Sequence, residues 1–214
     1  MRSLRFENTA VNNILAINII MFLASMLFGG GQDSLQFKLG LYPPSSELFR
    51  PYQIITHFFM HGGFMHLLFN MYALYIFGAV LERVWGPKKF LTFYFVTALG
   101  AALIYMLVKY WEMGSASPQE MFYHLHIPVV GASGAVFGLL LGYGMLFPNS
   151  ELMLLFVPIP IKAKYFVIGY GVLELFSGIR SNPADNVAHF AHLGGMIFGF
   201  ILIQLWKKDR SEFY

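Results

Sequence analysis

The stretch GASGAVFG at residues 131–138 places one serine, Ser133, among small residues at the start of an apolar run. Glycine recurs at every fourth position, at Gly134, Gly138 and Gly142, so on a helix these residues form one smooth face that another helix can approach closely. A proline and a glycine just upstream indicate a loop. We therefore predict Ser133 at a helix N-terminus, where free backbone N–H groups stabilise an anion. That position suits a nucleophile, although a serine in a glycine-rich membrane helix usually packs or caps.

The composition of the chain is typical of a membrane protein. Of its 214 residues, 57% are hydrophobic and 12% are charged, whereas a soluble domain has about 25% charged residues. The apolar residues form long runs, which indicates an integral membrane protein. Cysteine is absent, which excludes disulfides, zinc–thiolate sites and cysteine nucleophiles. The net charge of +3 is small, and we expect neither a nucleic-acid partner nor a cofactor.

Six apolar segments predict an all-α fold, a polytopic membrane helix bundle that forms a single domain over residues 1–214. The spans are roughly 12–29, 63–84, 90–107, 133–147, 165–178 and 186–206. We interpret the first as a retained span rather than a cleaved leader, because no small-x-small cleavage site clearly follows it. The fourth is short, with about 22 Å of helix at about 1.5 Å per residue against a hydrocarbon core of about 30 Å.

The connections between the spans differ in character. Residues 30–62 form a long first loop whose apolar side chains suggest that it lies against the membrane surface. Residues 111–130 are polar, and residues 152–161 are apolar but contain two prolines, so we interpret them as an interfacial turn. Asp185 or Asn186 is the expected N-cap of the sixth span.

The basic residues predict the orientation in the membrane. Six spans put both termini on one side. That side then carries ten of the 14 basic residues, namely Arg2, Arg5, Arg83, Lys88, Lys89, Lys162, Lys164, Lys207, Lys208 and Arg210. Because an excess of Lys and Arg marks the cytoplasmic side, we expect both termini in the cytoplasm and the chain in the cell (inner) membrane.

Polar side chains inside the spans mark a candidate site, because they are costly in a bilayer. His66 and Asn70 are four residues apart and share one helix face, and His192 stands near the start of the sixth span. His192 precedes Gly195 and Gly199, whose small-x-x-x-small face is predicted to dock on the glycine face of the fourth span. Each lies about 5–10 Å past the outer start of its span, at about 1.5 Å per residue. If the fourth span is anchored at its inner end, Ser133 is buried to a similar depth, about 8 Å below the outer surface.

These residues predict nucleophilic catalysis. His192 takes the proton from Ser133, which attacks a peptide carbonyl. The oxyanion is held by the Ser133 backbone N–H and by donors from His66 and Asn70. A structural hydrogen bond is an equally open interpretation of the His66–Asn70 pair. No acid is expected beside His192, because Glu174 on the fifth span is placed deeper, so we predict a Ser-His dyad rather than a triad.

The other titratable residues receive structural interpretations. We expect His57 and His61 to form hydrogen bonds in the first loop, and His189 to face solvent or to support His192. Glu82 and Arg83 are interpreted as a charged helix end.

With these motifs in place, the sequence resembles the rhomboid intramembrane serine proteases over nearly its whole length, in their six-span form. The matching motifs are GASG at 131–134, AHLGG at 191–195 with Gly199, HLLFN at 66–70, and the outlying His57 and Glu82. The resemblance implies Ser133 as nucleophile, His192 as base, and His66 and Asn70 at the oxyanion hole. It also implies a first loop lying partly in the membrane, substrate entry near the fifth span, and cleavage of single-span membrane proteins near small residues.

Two positions depart from the family pattern. Phe49-Arg50 stands where some members have a Trp-Arg pair in the first loop. Phe137 stands where some members have tyrosine, four residues after the serine. Its ring is still expected to pack against His192, without the hydroxyl.

Three other classes of protein compete with an intramembrane protease. The first is a catalytically inactive rhomboid-like protein that binds membrane clients, against which the intact Ser133 and His192 argue. The second is a transporter with a broken helix, which the single buried acid and the absence of an inverted repeat disfavour. The third is a metalloenzyme, which has no H-E-x-x-H pattern here; its candidate ligands are His57, His61, His66, His189 and His192.

Overall fold

The computed structural model describes residues 9–28, 31, 34–154, 157–180 and 188–208, and helices dominate it. The α-helices are α1 (Ala10–Leu27), α2 (Leu35–Leu39), α3 (Gln53–Thr56), α4 (Phe64–Ala73), α5 (Ala79–Met113), α6 (Pro118–His126), α7 (Ser133–Leu146), α8 (Ala163–Arg180) and α9 (His189–Lys208). A 3-10 turn at His57–Phe59 follows α3, and a π-helical segment at Leu74–Gly78 joins α4 to α5. The predicted all-α membrane bundle is confirmed.

Three helical stretches of the described chain are long and apolar enough to cross a membrane: Ala10–Leu27, Phe64–Met113 and His189–Lys207. The second has 50 residues and breaks at Gly86, whose φ of 76° ends one helix and starts the next. It therefore supplies two of the predicted spans. The short apolar α7 and the less apolar α8 fall on the fourth and fifth predicted spans. The chain is an integral membrane protein.

Glycine lets α7 lie at the centre of the bundle, between α5 and α9. A Cβ added to Gly138 would stand 2.6 Å from the Cβ of Thr97 on α5, and one added to Gly195 on α9 would collide with the backbone carbonyl of Gly134. A Cβ added to Gly199 would lie in ordinary contact with the Gly138 carbonyl, at 3.5 Å. The predicted docking of the two glycine faces is confirmed. It brings the N-terminus of α7, and so Ser133, against the first turns of α9.

The first loop is ordered by side chains that bond to its own backbone. Gln53 is buried; its amide nitrogen donates to the carbonyls of Lys38 and Leu48. Leu41 pairs with Val129 through two backbone hydrogen bonds of 2.9 Å. This pairing ties the loop to the segment that enters α7.

Two connections contain regular structure that the sequence prediction missed. Residues predicted as an interfacial turn form antiparallel strands β1 (Glu151–Leu154) and β2 (Val157–Lys162), with Met153 opposite Pro160. A two-stranded ribbon tolerates proline because each strand is an edge strand. The polar segment 111–130 contains α6, which begins with a capping box between Ser117 and Glu120. The predicted N-cap at 185 or 186 lies outside the described residues.

Glu82 and Arg83 lie in the last turn before the break at Gly86, so they stand at a helix end as predicted. The Glu82 side chain is buried, however, and its carboxylate accepts hydrogen bonds from the backbone N–H groups of Ala10 and Val11 at 2.7 and 2.9 Å. These N–H groups have no intrahelical partner, and the N-terminus of a helix attracts negative charge. Glu82 therefore fixes the N-terminus of α1 to the bundle.

Candidate active site

Ser133 and His192 meet where α7 and α9 begin. Ser133 is the first residue of α7 and partly exposed, and His192 lies in the first turn of α9 and is 7% exposed. The Nε2 atom of His192 is 2.8 Å from Oγ of Ser133. This is the separation expected for a nucleophile and its general base.

The ring of Phe137 fixes the plane of the His192 imidazole. The two rings are stacked, with centroids 4.2 Å apart and planes 6° from parallel. Phe137 is four residues after Ser133 on α7 and so lies over the same face of the helix. The predicted packing of Phe137 on His192 is confirmed.

A carboxylate does lie beside His192, and the prediction that none does is wrong. Oε2 of Glu174 on α8 is 2.9 Å from Nδ1 of His192 and 2.7 Å from Nδ1 of His189. A carboxylate only accepts hydrogen bonds, so Nδ1 of His192 carries the proton and Nε2 presents its lone pair to Ser133. The predicted supporting role of His189 is consistent with its bond to the same oxygen.

Glu174 lies less deep in the fifth span than predicted. α8 runs toward the same end of the bundle at which α9 begins, and Glu174 is six residues before Arg180. That is about 9 Å from the helix end at about 1.5 Å per residue. The depth comparison applied to His66, Asn70 and His192 would have found Glu174 as well.

His66 lies on the other side of Ser133, beside Gly131. A Cβ added to Gly131 would stand 2.8 Å from Nε2 of His66 and 3.7 Å from Oγ of Ser133, and its φ of 127° also favours glycine. The backbone N–H of Gly62 donates to Nδ1 of His66 at 3.3 Å. In a neutral ring this leaves the proton on Nε2, the nitrogen that lies beside Gly131.

Asn70 is buried one turn further along α4. Its amide nitrogen donates to the backbone carbonyl of His66 at 2.9 Å, which is a structural bond within the helix. An amide carries two N–H groups, and this bond uses one of them. Asn70 therefore has a structural bond within α4 and one further N–H donor, and its place at the oxyanion hole stays a prediction.

His57 and His61 support the loop beneath the site. Nδ1 of His57 bonds to the carbonyl of Gln53 at 2.7 Å, and the His57 carbonyl accepts from the N–H of Gly131 at 2.9 Å, so the predicted hydrogen bonding is confirmed for His57. His61 instead packs edge-on against His66, with ring centroids 5.1 Å apart. Among the described residues its buried ring nitrogens form no hydrogen bond of ordinary geometry, although the backbone carbonyl of Phe59 lies close enough to raise its pKa, so the hydrogen bond of His61 stays a prediction. Burial lowers the pKa of His57 to about 4 and that of His61 to about 3.

The fold and the site together define a polytopic membrane protein with a serine–histidine pair enclosed by its helices. The family model for the Rhomboid domain matches residues 48–208, which include every site residue described above. The chain belongs to the rhomboid family, which includes serine intramembrane proteases.

Individual relatives agree with this assignment. The chain is 32% identical over 187 residues to RHOMBOID-like protein 12, mitochondrial, of Arabidopsis thaliana, across 83% of this chain and 54% of that protein. It is 33% identical over 162 residues to the putative rhomboid protease YdcA of Bacillus subtilis, across 74% and 70%. It is 26% identical over 210 residues to rhomboid protease AarA of Providencia stuartii, across 88% and 69%. The chain spans about half the length of the Arabidopsis relative.

Proposed function

We propose that this chain is an intramembrane serine endopeptidase that cleaves single-span membrane proteins within or near their transmembrane segments. The observation that carries the proposal is the 2.8 Å hydrogen bond between Oγ of Ser133 and Nε2 of His192 at the start of two packed helices. A serine hydroxyl is a weak nucleophile until a base removes its proton. The pair is held in a productive geometry by Phe137 on one side and Glu174 on the other.

The reaction follows the usual course of acyl transfer to serine. His192 removes the proton of Ser133 as Oγ attacks the peptide carbonyl, and Glu174 stabilises the imidazolium that forms. The oxyanion is held by the backbone N–H of Ser133, Nε2–H of His66 and the amide of Asn70. His192 then protonates the leaving amine. Water, activated by the same histidine, hydrolyses the acyl-enzyme and regenerates Ser133.

The uneven packing of the helices supports substrate entry beside α8. The buried residues of α8 are Ala163 and Val167, both near its start, whereas α7 buries eight residues along its length. Exposed apolar side chains of α8, such as Leu173 and Phe176, form a face for lipid or for a substrate helix. Displacing a helix that makes few contacts within the protein costs the least free energy, so α8 is the helix that an incoming substrate segment displaces most easily.

Cleavage of a single-span reporter in liposomes tests the proposal. Wild-type protein should cut the reporter, and Ser133→Ala and His192→Ala should each abolish cutting, with no further loss in the double variant because the two residues act as a unit. Ser150→Ala, which removes another partly buried serine, serves as the matched control and should remain active. A wild-type protein that binds the reporter without cutting it would instead establish the client-binding function.

The proposal includes a cytoplasmic location for both termini and an active site that opens to the outer side. Single cysteines test this, because the chain has none of its own. A membrane-impermeant thiol reagent added to intact cells should label Ser133→Cys and the exposed Ser115→Cys. Glu151→Cys should react only after the cells are opened. Labelling of Ser133→Cys only in opened cells would contradict the orientation.

A further inference from the structure

Three potential metal ligands converge behind the catalytic base. Nδ1 of His189, Nδ1 of His192 and a carboxylate oxygen of Glu174 all lie within 4.8 Å of one another. The carboxylate oxygen is 2.7 Å from the first nitrogen and 2.9 Å from the second. The histidines are three residues apart on α9, and the acid comes from α8. No reaction step proposed above uses His189.

The three donor atoms suit a divalent cation of intermediate softness, such as zinc. Two imidazole nitrogens and one carboxylate oxygen form a set that zinc uses with a fourth position left to water. Zinc–ligand bonds of about 2.0–2.1 Å place tetrahedral ligands roughly 3.3 Å apart. The two separations from the carboxylate oxygen, 2.7 and 2.9 Å, are shorter than this by a few tenths of an ångström, and the two histidine nitrogens lie within 4.8 Å of one another. Side-chain adjustments are therefore enough to bring all three ligands to an ion.

The cluster is open enough to admit an ion and carries the charge to attract one. The side chains of His189, Glu174 and His192 retain 14%, 12% and 9% of their exposure. The ionised carboxylate supplies one negative charge, and a buried charge is costly unless it is paired. A divalent cation offsets that charge more strongly than two neutral imidazole N–H groups do.

We propose that this cluster binds Zn²⁺ or a similar divalent cation and that the bound ion inhibits the serine nucleophile. The inference rests on the proposed function for its effect on activity but not for the binding itself. A metal bound at Nδ1 of His192 displaces the proton of that nitrogen, and the neutral ring then carries its proton on Nε2. Nε2–H donates to Oγ of Ser133 and can no longer accept the serine proton. The ion also bridges α8 to α9.

Direct binding is measured first, with tag-free full-length protein in detergent and Co²⁺ as a spectroscopic substitute for Zn²⁺. We expect one equivalent of Co²⁺ to give the visible absorption of a tetrahedral site, and Zn²⁺ to displace it. His189→Gln keeps an N–H donor for Glu174 but loses the imidazole, and Glu174→Gln loses the carboxylate. Each should weaken binding by at least the roughly tenfold that loss of a supporting contact costs at known metal sites. His126→Ala, which removes a partly exposed histidine on α6, is the matched control and should bind normally.

The effect on the nucleophile is measured as the ratio of activities with and without Zn²⁺ within each variant. Zn²⁺ should suppress both reporter cleavage and labelling of Ser133 by a fluorophosphonate, and a chelator should restore both. His189→Gln should raise the Zn²⁺ concentration needed for inhibition by about tenfold or more, in parallel with its loss of binding. If the protein binds the ion at these three residues but never labels or cleaves, the proposed function fails while the metal site stands.

Three results would overturn the proposal. One is the absence of the Co²⁺ spectrum in folded wild-type protein. Another is binding that survives both His189→Gln and Glu174→Gln, which would move the ion elsewhere. The last is activity that rises with Zn²⁺ and disappears with a chelator, which would make the cluster the reaction centre of a metalloenzyme.

Discussion

At the scale of single residues, the hydrogen-bond partners of each histidine in the site determine which ring nitrogen carries the proton. The chain has seven histidines, and only His192 has a carboxylate at one ring nitrogen and a serine hydroxyl at the other among the described contacts. His66 is oriented in the opposite sense, because a backbone N–H occupies its Nδ1 and leaves Nε2 as the donor. One ring is therefore arranged to take a proton and the other to donate a hydrogen bond.

Glu174→Gln tests whether Glu174 is a positioning residue. The amide keeps the shape of the side chain but removes the charge that stabilises the imidazolium, and its N–H₂ end opposes Nδ1–H of His192. We expect kcat to fall on the order of 10²-fold with KM nearly unchanged, because general base catalysis contributes about that much. Steady-state kinetics on the reporter gives both constants. A change confined to KM would show that Glu174 only shapes the substrate path.

Asn70→Ala tests the oxyanion hole. Loss of one donor costs roughly 10²–10³-fold in kcat in other enzymes. The cost here should lie at the lower end, because His66 and the backbone N–H of Ser133 remain. Thermal unfolding of the variant, measured alongside, separates this effect from loss of the helix bond to the His66 carbonyl. A normal kcat in a stable variant would leave Asn70 with a structural role alone.

At the scale of elements, buried polar contacts fix the positions of helices relative to one another, which the hydrophobic pattern does not specify. Apolar runs predicted where the spans lie, because every span must be continuous and apolar. They carried no information on Glu82, whose carboxylate reaches more than 70 positions back along the chain to the N-terminus of α1. The missed α6 did have a local signal, since Ser117-Pro118-Gln119-Glu120 combines a capping box with proline at the first helical position.

Glu82→Gln should destabilise the attachment of α1. The amide retains one acceptor for two N–H groups and loses its charge at the positive end of the helix. Hydrogen bonds to charged groups contribute about 1.5–3 kcal/mol each, so we expect a loss of about 2 kcal/mol. Unfolding in mixed micelles measures it. Arg83→Gln, at the exposed neighbouring position, is the control, and equal losses in both variants would contradict the assigned role.

At the scale of the whole molecule, the sequence predicted the bundle, the glycine-mediated packing of α7 on α9 and the meeting of Ser133 with His192. These predictions follow from the spacing of the glycines, the lengths of the apolar runs and the depths of the polar residues, all of which a membrane constrains strongly. The β1–β2 ribbon and the position of Glu174 were not predicted. The prolines of residues 152–161 made the ribbon resemble a turn, because proline is uncommon in strands. Glu174 did carry a signal, because it lies about 9 Å from the end of α8 that leads to α9, at about 1.5 Å per residue, which is the depth of the other site residues.

The stability of the molecule should depend on pH through its buried loop histidines. Burial holds the pKa of His57 near 4 and that of His61 near 3, below the ordinary 6.5. The unfolded chain therefore binds more protons in acid, so the free energy of unfolding is fully retained above about pH 6.5 and falls as the pH drops toward 4. Thermal unfolding at pH 7.5, 6 and 5 measures the slope, and His61→Gln should reduce it. An unchanged slope in that variant would contradict the assignment.

Site-resolved labelling with a fluorophosphonate measures whether His192 activates Ser133, because the reagent reports an activated serine without any assumption about the substrate. The protein in metal-free detergent solution is treated with the reagent, digested and analysed by mass spectrometry. We expect an adduct on Ser133 and on no other serine, formed in wild type and lost in His192→Ala, while Ser150→Ala labels normally. An adduct on another serine, or equal labelling of Ser133 with and without His192, would contradict it.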